Sequence, residues 1–202
     1  MDASNSTRMR ILEAAQDEIY RNGFQGMRID TILRRTQLAK GALYHHFPSK
    51  LALGYAVIDE FHLSRLEAIW EEAFSFHSDP IQVMLHLIEK RQQEIAHLKV
   101  FNGCPINNLV QEMGALDSGF QERLLKLHHL IIEKFTLCIH TGQKNGYIRQ
   151  SLDPKQVALF FMAAYNGIMS IIKCMQAPDE MPHLFASLEN HVRSLAVDVN
   201  HQ

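Results

Sequence analysis

Apolar residues recur along this chain at spacings of three and four, the period of an α-helix, and nothing alternates convincingly as a strand. Leu12, Ala15 and Ile19 form one stripe, Ile29, Ile32 and Leu33 a second, and Leu43 with Phe47 a third. The breakers stand where helices start or stop. Gly23 follows the first stripe, Pro48 follows the third, and two Asp-Pro pairs, Asp79-Pro80 and Asp153-Pro154, combine a capping carboxylate with a proline at the first helical position. The pattern predicts helices at about residues 7–22, 28–36, 39–47, 50–74, 80–101, 106–116, 119–144, 154–175 and 182–197. Phe24 is expected to fold back onto the first helix. The fold class is therefore all-α: three short helices form an N-terminal head, residues 1–52, on a larger helical body, residues 53–202.

Composition narrows the class of function. With 10 Gly and 6 Pro in 202 residues, a turn-rich β architecture is excluded. The opening Met1-Asp2-Ala3-Ser4-Asn5-Ser6 is not the apolar start of a signal peptide. The most apolar run, residues 157–172, is interrupted by Asn166 and Ser170 and falls short of the roughly 20 residues a bilayer requires. It reads as a buried helix, with no membrane partner. Cys104, Cys138 and Cys174 are odd in number and far apart, which suits a reducing cytoplasm. No C-x-x-C offers a zinc site, and the paired histidines His45-His46 and His128-His129 are neighbours whose side chains diverge on a helix. No metal or cofactor is expected. Enzyme signatures are missing as well: there is no Gly-rich phosphate loop, no H-E-x-x-H and no G-x-S-x-G.

Charge is more informative. Residues 1–52 hold eight Lys/Arg against five Asp/Glu, although the whole chain is at −2, and no acid occurs between Asp30 and Asp59. A surface facing a polyanion needs such a depletion. Within it, a helix, a short turn and a second helix occupy residues 28–47, the helix-turn-helix plan that places its second helix in a major groove of double-stranded DNA. Lys40, Ala42, Tyr44, His45 and His46 are the residues of that helix that do not pack inwards, and their chemistry suits either solvent or DNA. Lys50 decides between them. A cation is disfavoured in the first turn of a helix, where the macrodipole prefers an acid, unless a phosphate docks there. Arg28, at the start of the preceding helix, is placed for a similar contact.

Gly23-Phe24, Ile32 and the run Lys40-Gly41-Ala42-Leu43-Tyr44-His45-His46-Phe47-Pro48-Ser49-Lys50 resemble the DNA-binding head of the TetR family, over about residues 8–55. The resemblance implies an all-helical cytoplasmic homodimer that represses until a small-molecule inducer binds its body. It also implies phosphate or base contacts from Thr31, Lys40, Tyr44, His45, His46 and Lys50. Two positions depart from the family pattern: Gln37 stands where the turn usually has Gly, and Ala39 where Ser or Thr usually caps the recognition helix. Ala42 lacks a hydroxyl that many relatives carry. The operator sequence is therefore not transferable.

The body is less legible. Asn102-Gly103-Cys104-Pro105, followed by Asn108-Leu109 and Glu112, resembles a TetR subgroup with a Gly-Cys turn, in some of which the cysteine senses electrophiles. Read from the residues, Cys104 is either a small buried hydrophobe or, at a helix start with Lys99 nearby in sequence, a reactive thiolate. Cys138 and Cys174, mid-helix among apolar residues, lack that route. Trp70, Phe74, Phe101, Met113, Phe120, Met162, Tyr165 and Met169 suit either plain core or an apolar ligand cavity, with His97 or Asn166 as polar handles. The helix at 154–175 is apolar nearly all round. Ala163, Ala164 and Gly167 on it, with Leu184, Leu188, Val192 and Leu195 on the last helix, predict a two-fold four-helix dimer interface.

Overall fold

A computed structural model describes residues 3–98, 100–176 and 180–197. Among them the named elements are all helices: α1 (Ala3–Gly26), α2 (Ile29–Thr36), α3 (Lys40–His46), α4 (Lys50–Ala56), a π-helical segment (Val57–His62), α5 (Leu63–Phe76), α6 (Pro80–Ala96), α7 (Pro105–Met113), α8 (Ser118–Lys144), α9 (Pro154–Met175) and α10 (Met181–Arg193). Both Asp-Pro pairs open helices as their chemistry requires. The Asp79 carboxylate accepts the Ile81 N–H at 2.9 Å, and Asp153 accepts those of Lys155 and Gln156 at 2.8 and 2.9 Å.

Three departures from the periodicity have local causes. Gly23 does not end α1 but kinks it, at φ 74° and ψ 167°. The single helix expected over 50–74 contains six residues wound with i→i+5 bonds, which begins a new turn at Val57 and buries Val57, Ile58 and His62. The last helix stops at Arg193 because the chain then pairs with the segment after α8. The Arg149 N–H donates to the Leu195 carbonyl and the Val197 N–H to that of Tyr147, both at 3.1 Å, around an Ile148–Ala196 bridge.

The chain forms two compact units. The first comprises the residues up to Glu67 together with Pro105–Leu127; the second comprises Ala68–Cys104 and the residues from His128 on. In the first unit α1 packs against α2, α4, α7 and the π-helical segment. Its interior holds Ile11, Leu12, Ala15, Ile19, Phe24, Ile32, Leu43 and Phe47, all buried, so the first and third expected stripes and the folding back of Phe24 are realised, while Ile29 and Leu33 of the second are half-buried. In the second unit α10 packs on α6 and α9, and aromatic rings run in series: Phe74 stacks on Trp70, Trp70 meets Phe135 at 4.8 Å between centroids, and Phe135 meets Phe161 at 4.6 Å.

Helix α9 corrects one expectation. At 22 residues it is long and apolar enough, by length and composition, to cross a membrane, yet only 28% of its most apolar stretch is buried within the chain. Leu159, Phe160, Ile171 and Met175 are exposed, so the helix read from the sequence as buried is buried along one face only, by Val157, Phe161, Ile168, Met169 and Ile172.

Candidate nucleic-acid interface

The α2–α3 pair is fixed by contacts at each end. α2 closes on Gln37, which takes the left-handed conformation, φ 56° and ψ 34°, and donates its N–H to the Leu33 carbonyl. This geometry explains why the resemblance leads one to expect glycine there, since a Cβ costs energy in the left-handed region. The Arg10 guanidinium reaches from α1 to the Thr36 carbonyl at 2.6 Å and holds the end of α2. α3 starts at Ala39 with no side-chain cap. Its other end is held by Arg8, which donates to the His46 carbonyl at 3.0 Å, lies 4.2 Å from the centre of the Phe47 ring, and pairs with Glu60 at 2.8 Å.

Leu43 and Phe47 are buried at 0% and 1% exposure and set the rotation of α3. Lys40, Gly41, Tyr44 and His45 are therefore turned to solvent, while Ala42 and His46 are half-buried. The rings of His45 and His46 are inclined by 68°. Ser49 caps α4 by accepting the Ala52 N–H at 2.9 Å. The half-buried Lys50 donates to the Gln25 carbonyl at 2.9 Å, its ammonium 5.3 Å from the centre of the Phe24 ring. Arg28 is exposed at the start of α2, and its N–H donates to the buried Glu18 carboxylate at 3.3 Å. Thr31 is half-buried, with the Arg34 guanidinium 3.3 Å from its hydroxyl. All eight residues named from the sequence lie in the first unit. Exposed Arg34 was not named, although its spacing of three from Thr31 puts it on the same face.

The named cavity residues divide. Phe120 is in the first unit, fully buried, with its ring 4.6 Å from Phe24 and 5.2 Å from Tyr55; Met113 is buried there too. Trp70, Phe101 and Met169 are buried in the second unit, Cys104, Met162, Tyr165 and Asn166 are half-buried, and Phe74 and His97 are exposed. A polar group that sequence reasoning missed is Arg91. It pairs with Glu94 at 2.9 Å, lies 5.6 Å from the centre of the Phe101 ring, and its Nε is buried with no hydrogen-bond partner among the described residues. Burial pushes the neighbouring Tyr165 hydroxyl up in pKa, with the Arg91 guanidinium opposing. Among the described residues no three His, Cys, Asp or Glu side chains converge on a metal site.

Of the interface residues, Ala163 and Gly167 are exposed, and a Cβ placed on Gly167 would meet nothing within 4 Å. Ala164 and Leu184 are half-buried. Leu188, Val192 and Leu195 are buried in the chain's own core, because α10 turns this stripe towards α6 and α9. Of the cysteines, Cys138 is buried, and burial pushes its thiol up to about 12, with the Asp79 carboxylate adding to the shift. Cys174 is exposed, which its apolar neighbours in sequence did not suggest, and Cys104 is half-buried one residue before α7. Lys99 lies outside the described residues.

Known proteins agree with this architecture. A family model described as "Bacterial regulatory proteins, tetR family" matches residues 11–57, and one described as "Tetracyclin repressor-like, C-terminal domain" matches residues 80–188. An uncharacterized HTH-type transcriptional regulator of Lactococcus lactis is 33% identical over 127 residues, which span 60% of this chain and 62% of that protein. The HTH-type transcriptional repressor DhaR of a Mycobacterium strain is 27% identical over 171 residues, 85% of this chain and 84% of that one. In fold, the reduced form of Escherichia coli NemR matches with a TM-score of 0.85 at 20% identity, over 97% of this chain and 100% of that one. With a helix-turn-helix head and a helical C-terminal region each matched to its own family model, the chain belongs to the TetR family, whose members regulate transcription and are not enzymes.

Proposed function

We propose that this chain is a cytoplasmic repressor that binds a palindromic double-stranded DNA operator as a homodimer and is released by a small-molecule inducer or an electrophile. Residues 1–52 are the DNA-reading part and residues 53–202 the part that dimerises and binds ligand. The observation that carries this reading is the outward face of α3. Lys40, Tyr44 and His45 are exposed on a helix held by Arg8 and two buried residues, within a stretch that holds no acid between Asp30 and Asp59. Such a face meets phosphates and base edges without repulsion. Arg28, Thr31, Ala42, His46 and Lys50 complete it.

The exposed apolar face of α9 supports dimerisation. Phe160, Ala163, Gly167 and Ile171 lie on it at spacings of three and four, and a large exposed apolar surface calls for a partner. The small residues let backbones approach. The aromatic run around Trp70, Phe135 and Phe161, with Phe101, Met162, Tyr165, Asn166 and Met169 of the same unit, supports a mostly apolar inducer. For an electrophile, Cys104 is the reactive thiol: it stands directly before α7, whereas Cys138 is buried and its thiol is held protonated.

Operator binding measured against salt tests the reading. Lys50→Ala should weaken binding to all sequences alike and lower the salt slope by about one unit. Joint alanine replacement of Tyr44 and Lys50 should remove operator affinity; an unchanged affinity would show that another surface reads DNA. Limiting maleimide should label Cys104 faster than both the buried Cys138 and the exposed Cys174; if it reacts no faster than either, the covalent switch is wrong. If Cys104→Ser still releases DNA on electrophile treatment, only the reversible inducer remains.

A further inference from the structure

Glu112 is the residue of the Asn108-Leu109-x-x-Glu112 run that the functional reading leaves without a role. It stands on α7, 88 residues beyond Phe24, yet its carboxylate takes two consecutive backbone N–H groups at the kink of α1. Phe24 donates to Oε2 and Gln25 to Oε1, both at 2.8 Å. Gly23 makes the approach feasible. Its φ of 74° turns the two N–H groups towards α7, and a Cβ there would stand 2.8 Å from each carboxylate oxygen. Gln25, held by its N–H, presents its carbonyl to the Lys50 ammonium at 2.9 Å, and Phe24, held likewise, carries the ring that the ammonium faces.

From this chain of contacts we infer that Glu112 is a positioning residue for DNA binding: it fixes the Phe24–Gln25 backbone, which in turn holds Lys50 ready for a phosphate. The inference rests on the reading of Lys50 as a DNA contact. A free lysine side chain loses rotamer freedom when it docks, and a side chain already held loses less. An ammonium has three donors, so the bond to Gln25 leaves two for phosphate oxygens. Two N–H groups at a partly exposed kink would be satisfied by water alone. A carboxylate holding both is the stronger, charge-assisted arrangement and has one geometry.

The sign of the effect separates this role from simple electrostatics. A carboxylate beside a DNA-binding surface repels the polyanion, so its neutralisation alone would tighten binding. Positioning requires the opposite. Glu112→Gln should weaken operator binding about 10-fold and lower the salt slope towards that of Lys50→Ala. Glu112→Asp keeps the charge but not the reach and should weaken binding in the same sense. On a Lys50→Ala background, Glu112→Gln should change affinity less than about 2-fold, since the two act through one contact. If Lys50→Ala has no effect, the DNA-binding reading of Lys50 fails. If Lys50→Ala acts but Glu112→Gln leaves binding unchanged, tightens it, or adds its full effect on the Lys50→Ala background, the positioning role is overturned. Hydrogen exchange on the native protein does not depend on the variants folding. The Phe24 and Gln25 amides should stay protected when operator binds, and loss of their protection would equally overturn the role.

Discussion

Both units bury an apolar core with rings in contact, Phe24, Tyr55 and Phe120 in the first, but the first ties more of its distant segments together with carboxylate-anchored bonds. In the first, segments distant in sequence meet through directional bonds: the Glu112 carboxylate to two backbone N–H groups, the Tyr55 hydroxyl to Asp117 at 2.7 Å, the Arg123 guanidinium to Asp59 at 2.8 Å, and Arg8 to Glu60. In the second, the central contacts are the faces and edges of Phe74, Trp70, Phe135, Phe161 and Tyr165. A hydrogen bond fixes distance and angle and is lost outside a narrow range, while apolar contact is non-directional. The first construction suits a surface that must present side chains at a set spacing to DNA. The second suits an interior that adapts to the proposed inducer. Ring contacts contribute energy through burial, whereas solvent-accessible polar bonds contribute mostly geometry.

The largest effect expected from this contrast lies in the second unit. Phe135 is buried between Trp70 and Phe161, and Phe135→Ala should cost about 3–5 kcal/mol in urea unfolding. A loss under about 1 kcal/mol would mean that the ring series is not what holds this unit.

A smaller effect is expected from His62 in the first unit, which is 4% exposed with its Nε2 unpartnered among the described residues. Burial pushes this imidazole down to about 4, and the Arg65 guanidinium adds to the shift. The folded state thus keeps His62 neutral, while the unfolded chain takes up a proton below its ordinary pKa of about 6.5. Stability is full above that pH, falls as pH drops towards 4, and levels below it, by about 3 kcal/mol in all. His62→Leu should flatten the curve over this window. An equal slope in the variant and the native protein would assign the acid sensitivity elsewhere.

Next comes Gly54→Ala, whose Cβ would stand 2.4 Å from the Phe24 ring and 2.8 Å from that of Phe120. Overpacking there should cost about 1–3 kcal/mol in thermal unfolding, and a neutral result would show that these rings move freely. The smallest effects are gains at the departures from the family pattern. Ala39→Ser supplies the missing cap of α3 and should stabilise by about 1 kcal/mol. Gln37→Gly relieves the left-handed turn and should add about 0.5–1 kcal/mol. If neither raises the melting temperature, the α2–α3 turn melts apart from the cooperative transition.

Features readable from the sequence are those set within a few residues of each other. Asp79-Pro80 and Asp153-Pro154 start helices because cap and proline act on the adjacent turn. Leu43 and Phe47 point inwards because i and i+4 share a face, and that leaves Lys40, Tyr44 and His45 outside. The face proposed to meet DNA was thus legible as soon as α3 was. The candidate cavity was not, since eight apolar residues at helical spacing carry no mark of which interior they join; Phe120 and Met113 are in one unit and Trp70 and Tyr165 in the other.

From its sequence alone this chain is determined to be all-α, with helix starts and an outward polar face on α3, because caps, prolines and periodicity are local physics; that Gly23 kinks α1 rather than ending it is seen only in the structure. Tertiary structure decided the rest. It turned Leu188, Val192 and Leu195 inwards, left the apolar face of α9 exposed, and brought Glu112 to Gly23. An apolar stripe has no intrinsic direction until another surface covers it, and a carboxylate has no partner until the fold closes the 88 residues between them.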